Sequence, residues 1–348
     1  MRRFDYSFLK NAKLPAGIVE YAGGIAAIRA LQEGRKKNYG DIFTKLESIA
    51  KVQSVKGSNA IEGIVTTDKR IEEIVNKSSA PLNHNEAEIA GYRDALNLVH
   101  SGFGSLDINE NDILRLHGIM LSFTNYAERG RYKTSDNVIL EVDGYGNRRI
   151  RFSPTPAAHT PEAMEQMIFA YADAKSDSGI NQLLLIPCFI LDFLCIHPFG
   201  DGNGRMSRLL SLLLLYKNGF DAGKYISFEE QINKHKDIYY EALRQSSAGW
   251  ERGENDYIPF MQNFIMTLLL CYKELDSRFA LLNEKKVNKK RRVEAAVTGS
   301  MAPISKAEIL YILPDVSETT VEAALSSMLK SGLIKKTGSS RNARYLKA

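Results

Sequence analysis

Cysteine is almost missing from this chain: only Cys188, Cys195 and Cys271 are present, with no C-x-x-C spacing among them. So sparse and odd a set builds neither a disulfide framework nor a zinc site, and a reducing compartment is the expectation. Long apolar runs are missing too. Leu183 to Ile196 is interrupted by Pro187 and Asp192. Leu209 to Tyr216 is far shorter than the roughly 20 residues a membrane span requires. Both read as buried helices, and no membrane partner is expected. Phe4 to Lys10, behind the basic Met1-Arg2-Arg3, is not a continuous apolar core, so no secretory leader is read and a cytoplasmic location is expected. There is no GxxxxGK[ST] phosphate loop and no HExxH metalloprotease helix. Strand signals are scarce, and neither a repeat nor a low-complexity tract is visible.

What remains is an ordinary globular composition, 44% hydrophobic and 25% charged over 348 residues, enough for two or three domains. The net charge of +5 is uneven. Residues 285–348 hold 13 Lys+Arg against 5 Asp+Glu, a net of +8, which leaves −3 for the first 284 residues. A basic C-terminal piece hints at nucleic acid there and not in the main body.

The apolar spacing predicts helices over about Asp41–Ile61, Asn85–His100, Asn109–Leu121, Pro161–Ala174, Asn181–Ile196, Gly204–Lys217, Glu229–Ser246 and Tyr257–Leu282. Gly63 is a good residue just past the first of these, and Pro161 a good first-turn residue. Val138–Val142 and Arg149–Phe152 flank the turn Asp143-Gly144-Tyr145-Gly146-Asn147 and read as a β-hairpin. The run Asn283–Arg292 reads as a solvated linker. Beyond it the order helix (Ile304–Leu313), helix (Ser317–Ser331), strand (Leu333–Lys336), turn (Gly338-Ser339-Ser340) and strand (Arg344–Leu346) is that of a winged helix. The expected domains are a helical region 1–100, a core 101–284 and a winged-helix domain 285–348.

Chemistry concentrates in His197 to Arg208, HPFGDGNGRMSR. Gly200, Gly202 and Gly204 let the backbone approach a ligand and turn several N–H groups one way. The loop opens into a helix whose N-terminus is a ready anion site. Arg205 and Arg208, spaced i,i+3 in the first turn, oppose the helix dipole and point to an anion from outside the chain. Asp201 supplies one carboxylate, as Mg²⁺ arriving with nucleotide phosphates requires. His197, at the end of the preceding helix and stopped by Pro198, has the residue type for deprotonating an attacking hydroxyl. Phe199 is the apolar anchor of the loop.

This segment resembles the signature of the Fic family, HxFx(D/E)GNGRxxR, at every defined position, and the resemblance extends over roughly residues 10 to 280. It implies a mainly α fold: a helical bundle with a β-hairpin flap, here followed by the small winged helix. Family members mostly transfer AMP from ATP to Ser, Thr or Tyr hydroxyls. By resemblance His197 is the base, and Asp201 holds Mg²⁺. Gly202, Asn203 and Gly204 form the anion hole, and Arg205 and Arg208 bind phosphate. Val138, Ile139 and Leu140 lie on the flap beside the nucleotide and dock the target segment by strand addition. Tyr239 and Tyr240 resemble the aromatic pair near adenine, with core packing an equal reading for Tyr239. Relatives carry Asn a turn or two further on, where this chain has Ser246-Ser247, so nucleotide contacts there stay open.

Ser58-Asn59-Ala60-Ile61-Glu62-Gly63 is similar to the family's inhibitory pattern, (S/T)xxxE(G/N). Ser58 and Glu62 share a face near a helix C-terminus, where a carboxylate needs a cation, and Arg208 is the candidate. Pairing would take Arg208 from the γ-phosphate and put Glu62 in the nucleotide site. The expected cofactors are ATP and Mg²⁺. The expected partner is a protein hydroxyl, including the protein's own; DNA at residues 285–348 and a homodimer stay open. Removal of AMP, transfer of another phosphate-containing group, and a DNA-binding regulator working through the winged helix are the alternatives. His84, His100, His117, His159 and His235 form no ligand-like pair and read as structural or surface residues.

Overall fold

The computed structural model describes residues 2–142, 148–283, 289–300, 303–338 and 343–348. Five helices come first: α1 (Ala16–Asn38), α2 (Gly40–Ile61), α3 (Asp68–Lys77), α4 (His84–Gly102) and α5 (Glu110–Met120). A ribbon of β1 (Ile139–Val142) and β2 (Arg148–Phe152) follows. Its strands are antiparallel and the register shifts between Ile139 and Leu140. The turn expected at Asp143–Asn147 lies outside the described residues. Then come α6 (Thr160–Ser176), α7 (Gln182–Ile196), α8 (Asn203–Lys217), α9 (Phe228–Lys234), α10 (Lys236–Ser247) and α11 (Ile258–Asn283).

The core is built around α7, which is buried from Leu183 through Ile196. A helix covered on all sides needs no polar stripe, so its sequence reads as an apolar run. It packs against α6, α8, α10 and α11. Around its C-terminal end α8 meets α2 and α4, so the glycine loop is held between the central helices and the N-terminal ones.

Two elements differ from the sequence-based boundaries for identifiable reasons. Helix α1 carries Gly17, Gly23, Gly24 and Gly34, which mute its helical signal. It lies along α11, where a Cβ at Gly24 would stand 3.0 Å from Leu269 Cδ1, so glycine permits the close approach. The helix expected over Glu229–Ser246 breaks at His235 (φ −120°, ψ 34°). Ser227 caps α9 by accepting the Glu230 N–H at 2.9 Å and Glu229 is buried beneath it. The break re-aims α10, so that Tyr239 packs on Phe260.

The C-terminal stretch holds α12 (Lys289–Thr298), β3 (Ile304–Ser305), α13 (Lys306–Ile312), α14 (Glu318–Lys330), β4 (Ile334–Thr337) and β5 (Arg344–Lys347). It has its own apolar cluster, including Val293, Val297, Ile309, Leu313, Val321, Leu325, Met328 and Ile334. The antiparallel sheet has the order β3-β5-β4. Residues 289–292, read as linker, belong to α12, because Arg292 is anchored on Asp315 by two bonds of 2.8 and 2.7 Å. Asn283, the first residue of that run, ends α11; residues 284–288, and Ser339–Ser340 of the expected second turn, lie outside the described residues. On α14, Glu318 and Glu322 are exposed and both bonded to Lys306. Among the described residues no helix is long and apolar enough to cross a membrane.

Candidate active site

His197 ends α7 in the left-handed conformation, φ 52° and ψ 60°. That conformation is uncommon without glycine and turns the chain sharply out of the helix. The ring is fixed by Nδ1, which donates to Leu194 O at 3.3 Å and so makes Nε2 the nitrogen that carries the lone pair. Burial, aided by the nearby charges of Lys133 and Arg151 and opposed by the Leu194 bond and Glu62, pushes the imidazole down to about 4. At neutral pH His197 is therefore uncharged and able to accept a proton.

The turn between the helices is stitched internally. Asn203 Oδ1 accepts the Phe199 N–H at 2.9 Å, and its Nδ2 donates to Phe199 O at 2.7 Å. Its side chain thus shapes the loop, and what it offers an anion is its backbone at the start of α8. Gly202, at φ 81°, caps α8 in a conformation that needs glycine. Asp201 Oδ1 accepts the Gly202 N–H at 2.6 Å, while its side chain stays 54% exposed. No cluster of three or more metal-ligating side chains occurs among the described residues. One exposed carboxylate beside an anion cradle fits Mg²⁺ that arrives on nucleotide phosphates better than a protein-caged ion.

The two arginines are used differently. Arg205 is buried, with Nη1 2.5 Å from Glu88 Oε2 on α4 and Nη2 3.5 Å from Asp201 Oδ2. It ties the carboxylate loop to α4 as much as it faces the cradle. Arg208 turns to α2. Its Nε donates to Ser58 Oγ at 2.8 Å, and its Nη2 to Ser58 O at 3.0 Å and Glu62 Oε1 at 2.8 Å. Burial pushes the Glu62 carboxyl up, but Arg208, with Arg205 and Lys236 behind it, outweighs that and holds it below the usual carboxylate range. A Cβ at Gly204 would overlap the Glu62 carboxylate, which therefore lies over the N-terminus of α8. Gly63, at φ 78°, turns the chain away directly after it.

Glu62, His197, Gly204 and Arg208 share one cavity with Ile139, Arg151, Phe152, Leu194, Leu243, Tyr239, Tyr240 and Ser247. Its volume is about 180 Å³. Of the three flap residues expected at the nucleotide, only Ile139 lines it. Val138 and Leu140 are each 49% exposed, because neighbours on a strand point to opposite faces. Tyr239 is buried, and its ring meets Tyr240 edge-on at 5.5 Å. Ser246 is spent elsewhere: its Oγ accepts the Phe260 N–H at 3.0 Å.

The sequence model of the Fic/DOC family matches residues 107–215. A Fido domain-containing protein of Dictyostelium discoideum is 31% identical over 121 residues, which cover 35% of this chain and 78% of that protein. The chain belongs to the Fic/DOC family. The protein adenylyltransferase Fic of Nematostella vectensis is 30% identical over 220 residues, covering 60% of this chain and 45% of that protein, so the chain spans less than half its length. A Fic family protein from Desulfovibrio desulfuricans shares the fold over 97% of both chains, with a TM-score of 0.60 at 20% identity.

The Fic site also uses residues that no local pattern announced. His117, read as structural or surface, is wholly buried beneath the loop. It stacks on Phe199 with centroids 3.7 Å apart, accepts the Gly130 N–H on Nδ1 at 2.9 Å and donates from Nε2 to Asp201 O at 3.1 Å. Burial, outweighing Asp201, pushes it down to about 4. Lys133 grips the turn after α7 twice, Nζ donating to Ile196 O at 3.3 Å and backbone N to Pro198 O at 2.9 Å. Lys236 Nζ donates to Ile61 O at 2.7 Å and satisfies the end of α2 that carries Glu62. All three are single residues whose partners lie far away in sequence.

Proposed function

We propose that this protein is an adenylyltransferase that moves AMP from ATP to a hydroxyl of a protein, with Glu62 as its built-in brake. The observation that carries the reading is the shared cavity: a neutral His197 with its Nε2 lone pair free, the open N-terminus of α8 at Gly204, and Arg208. His197 Nε2 takes the proton of the target hydroxyl. The oxygen attacks the α-phosphorus, the bond from that phosphorus to the bridging oxygen breaks, and pyrophosphate leaves. The backbone N–H groups of Asn203 and Gly204 receive the phosphate charge, that of Gly202 being taken by Asp201, and Arg208 takes the far end of the triphosphate once Glu62 releases it. Asp201 would hold Mg²⁺, which neutralises phosphate charge when bound. The apolar wall of Tyr240 and Leu243 suits the adenine face.

As drawn, Glu62 stands in this reaction's way by charge and by position. The structure is thus read as the resting form. The test is labelled ATP with a cell lysate, the α- and γ-labels run in parallel. Incorporation of α-label with release of pyrophosphate is expected; incorporation of γ-label would make the protein a kinase-like relative instead. We read residues 289–348 as a winged helix. The exposed Glu318 and Glu322 argue against α14 entering a DNA groove, so the DNA-binding alternative loses ground to the enzyme.

A further inference from the structure

Arg151 on β2 is half-buried, and its Nε is shut away from solvent with no hydrogen-bond partner. Its guanidinium forms no ion pair among the described residues. Yet it lines the cavity that holds His197, Gly204 and Arg208. Among the described residues on that lining the one carboxylate is Glu62, and it is bonded to Arg208. A charge taken partly out of water without a partner costs stability. Its place in this cavity therefore points to an anion from outside the chain.

The backbone puts it there. Ile139 lies opposite Phe152 and Leu140 opposite Ile150, which leaves Arg151 as the extra residue of a β-bulge. Neighbours on a regular strand point to opposite faces. Here Arg151 and Phe152 are consecutive and both line the cavity, while Ile150 is 61% exposed. Re-aiming a side chain in this way is what a bulge does beside an active site. Of the signature's two arginines, Arg208 lines the cavity and Arg205 does not, being held on Glu88. Once Glu62 withdraws, the described lining carries the guanidiniums of Arg151 and Arg208 and no carboxylate, next to Gly204 at the start of α8. Two arginines beside a helix N-terminus suit a chain of phosphates better than a single carboxylate.

We propose that Arg151 is a phosphate-binding residue carried by the flap, meeting the triphosphate together with Arg208. The proposal rests on the adenylyltransferase reading of the site. It adds to the loop from His197 to Arg208 a cation from the ribbon itself. An acidic side chain of the target is the competing occupant, and the test separates the two.

Full-length Glu62→Gly and Glu62→Gly/Arg151→Met are titrated calorimetrically with ATP and Mg²⁺, and with adenosine by competition against bound ATP. Methionine keeps an unbranched side chain and removes the charge. Loss of one charge-assisted contact should weaken ATP about tenfold and leave adenosine unchanged. The melting temperature should hold, because the guanidinium gives up no partner within the protein. Unchanged ATP affinity overturns the proposal; a rise in KM for the protein target alongside it would assign Arg151 to a target carboxylate instead. An equal loss of ATP and adenosine overturns it too, since the residue would then shape the ribbon without binding phosphate. Should Arg151→Met unfold, Arg151→Gln decides by the same comparison. Failure of Glu62→Gly itself to bind ATP would overturn the reading of the site, and is distinguishable because it precedes the second substitution.

Discussion

Glu62→Gly removes one charge-assisted hydrogen bond, Arg208 Nη2 to Glu62 Oε1 at 2.8 Å, and one negative charge from above the N-terminus of α8. A bond of this kind is worth about 1.5–3 kcal/mol. The side chain is 32% exposed, so solvent screens it and the lower end applies. Arg208 keeps its bonds to Ser58 Oγ and Ser58 O, so its orientation survives. About 1.5 kcal/mol corresponds to roughly a tenfold rise in the competent population, and the upper end to roughly a hundredfold. Glycine costs about 1 kcal/mol inside a helix, but position 62 is the cap after α2, where that cost shrinks. The assay is the initial rate of α-label incorporation, into the protein itself and into lysate proteins, for wild type, Glu62→Gly and Glu62→Gly/His197→Ala. The single variant should be about tenfold faster than wild type and the double variant silent. An unchanged rate in a folded Glu62→Gly protein that binds ATP would refute the brake.

His197→Ala should lower transfer by about 10²–10⁴-fold and leave ATP affinity nearly unchanged, since a general base acts in the transition state; calorimetry beside single-turnover rates checks both. The acid limb of kcat/KM should lie near pH 4, because burial keeps the His197 proton off; a rate halved near pH 6.5 would show a solvated imidazole. The same depression in His197 and His117 acts on folding. Their unfolded forms take up protons first, so the stability they confer is complete above about pH 6.5 and is lost as pH falls toward 4, visible as a falling Tm. Gly202→Ala should cost at least about 1 kcal/mol in chemical denaturation and depress transfer, because φ is 81° there and a Cβ would meet the Met120 methyl at 2.5 Å; a neutral result would mean that the loop is not held as described.

The helical character, the hairpin and the loop from His197 to Arg208 were legible because each is written in consecutive residues: a period, a turn or a signature. Glu62 was legible for the same reason, being four residues from Ser58. Glu88, His117, Tyr92 and Glu229 were not. Each is one ordinary residue on an ordinary helix, and its contact arises only when folding brings Glu88 to Arg205, His117 to Asp201, and Tyr92 and Glu229 to each other. Asn203 and Arg205 show the converse limit. The signature names them as anion-binding, while their side chains are largely engaged in holding the loop. The break at His235 was hidden because apolar spacing continues through it, and only the burial of Glu229 beneath a capped α9 separates the two helices.

Lys133 has a consequence for which targets this site could accept. Its backbone N–H reaches Pro198 O at 2.9 Å, and Asn137, which receives the Lys133 Nζ, donates from Nδ2 to Phe199 O at 3.2 Å. The chain enters β1 two residues later, so the flap is fastened to the turn that carries His197. A segment docked along the ribbon would be measured from the base as if against a ruler. Strand side chains alternate faces, so a slip of one residue would turn a hydroxyl away from Nε2, and a slip of two would carry it about 6.6 Å along. Such a site would select the position of a hydroxyl along a strand rather than the identity of its neighbours. Targets would then share spacing and an exposed edge before they shared any sequence.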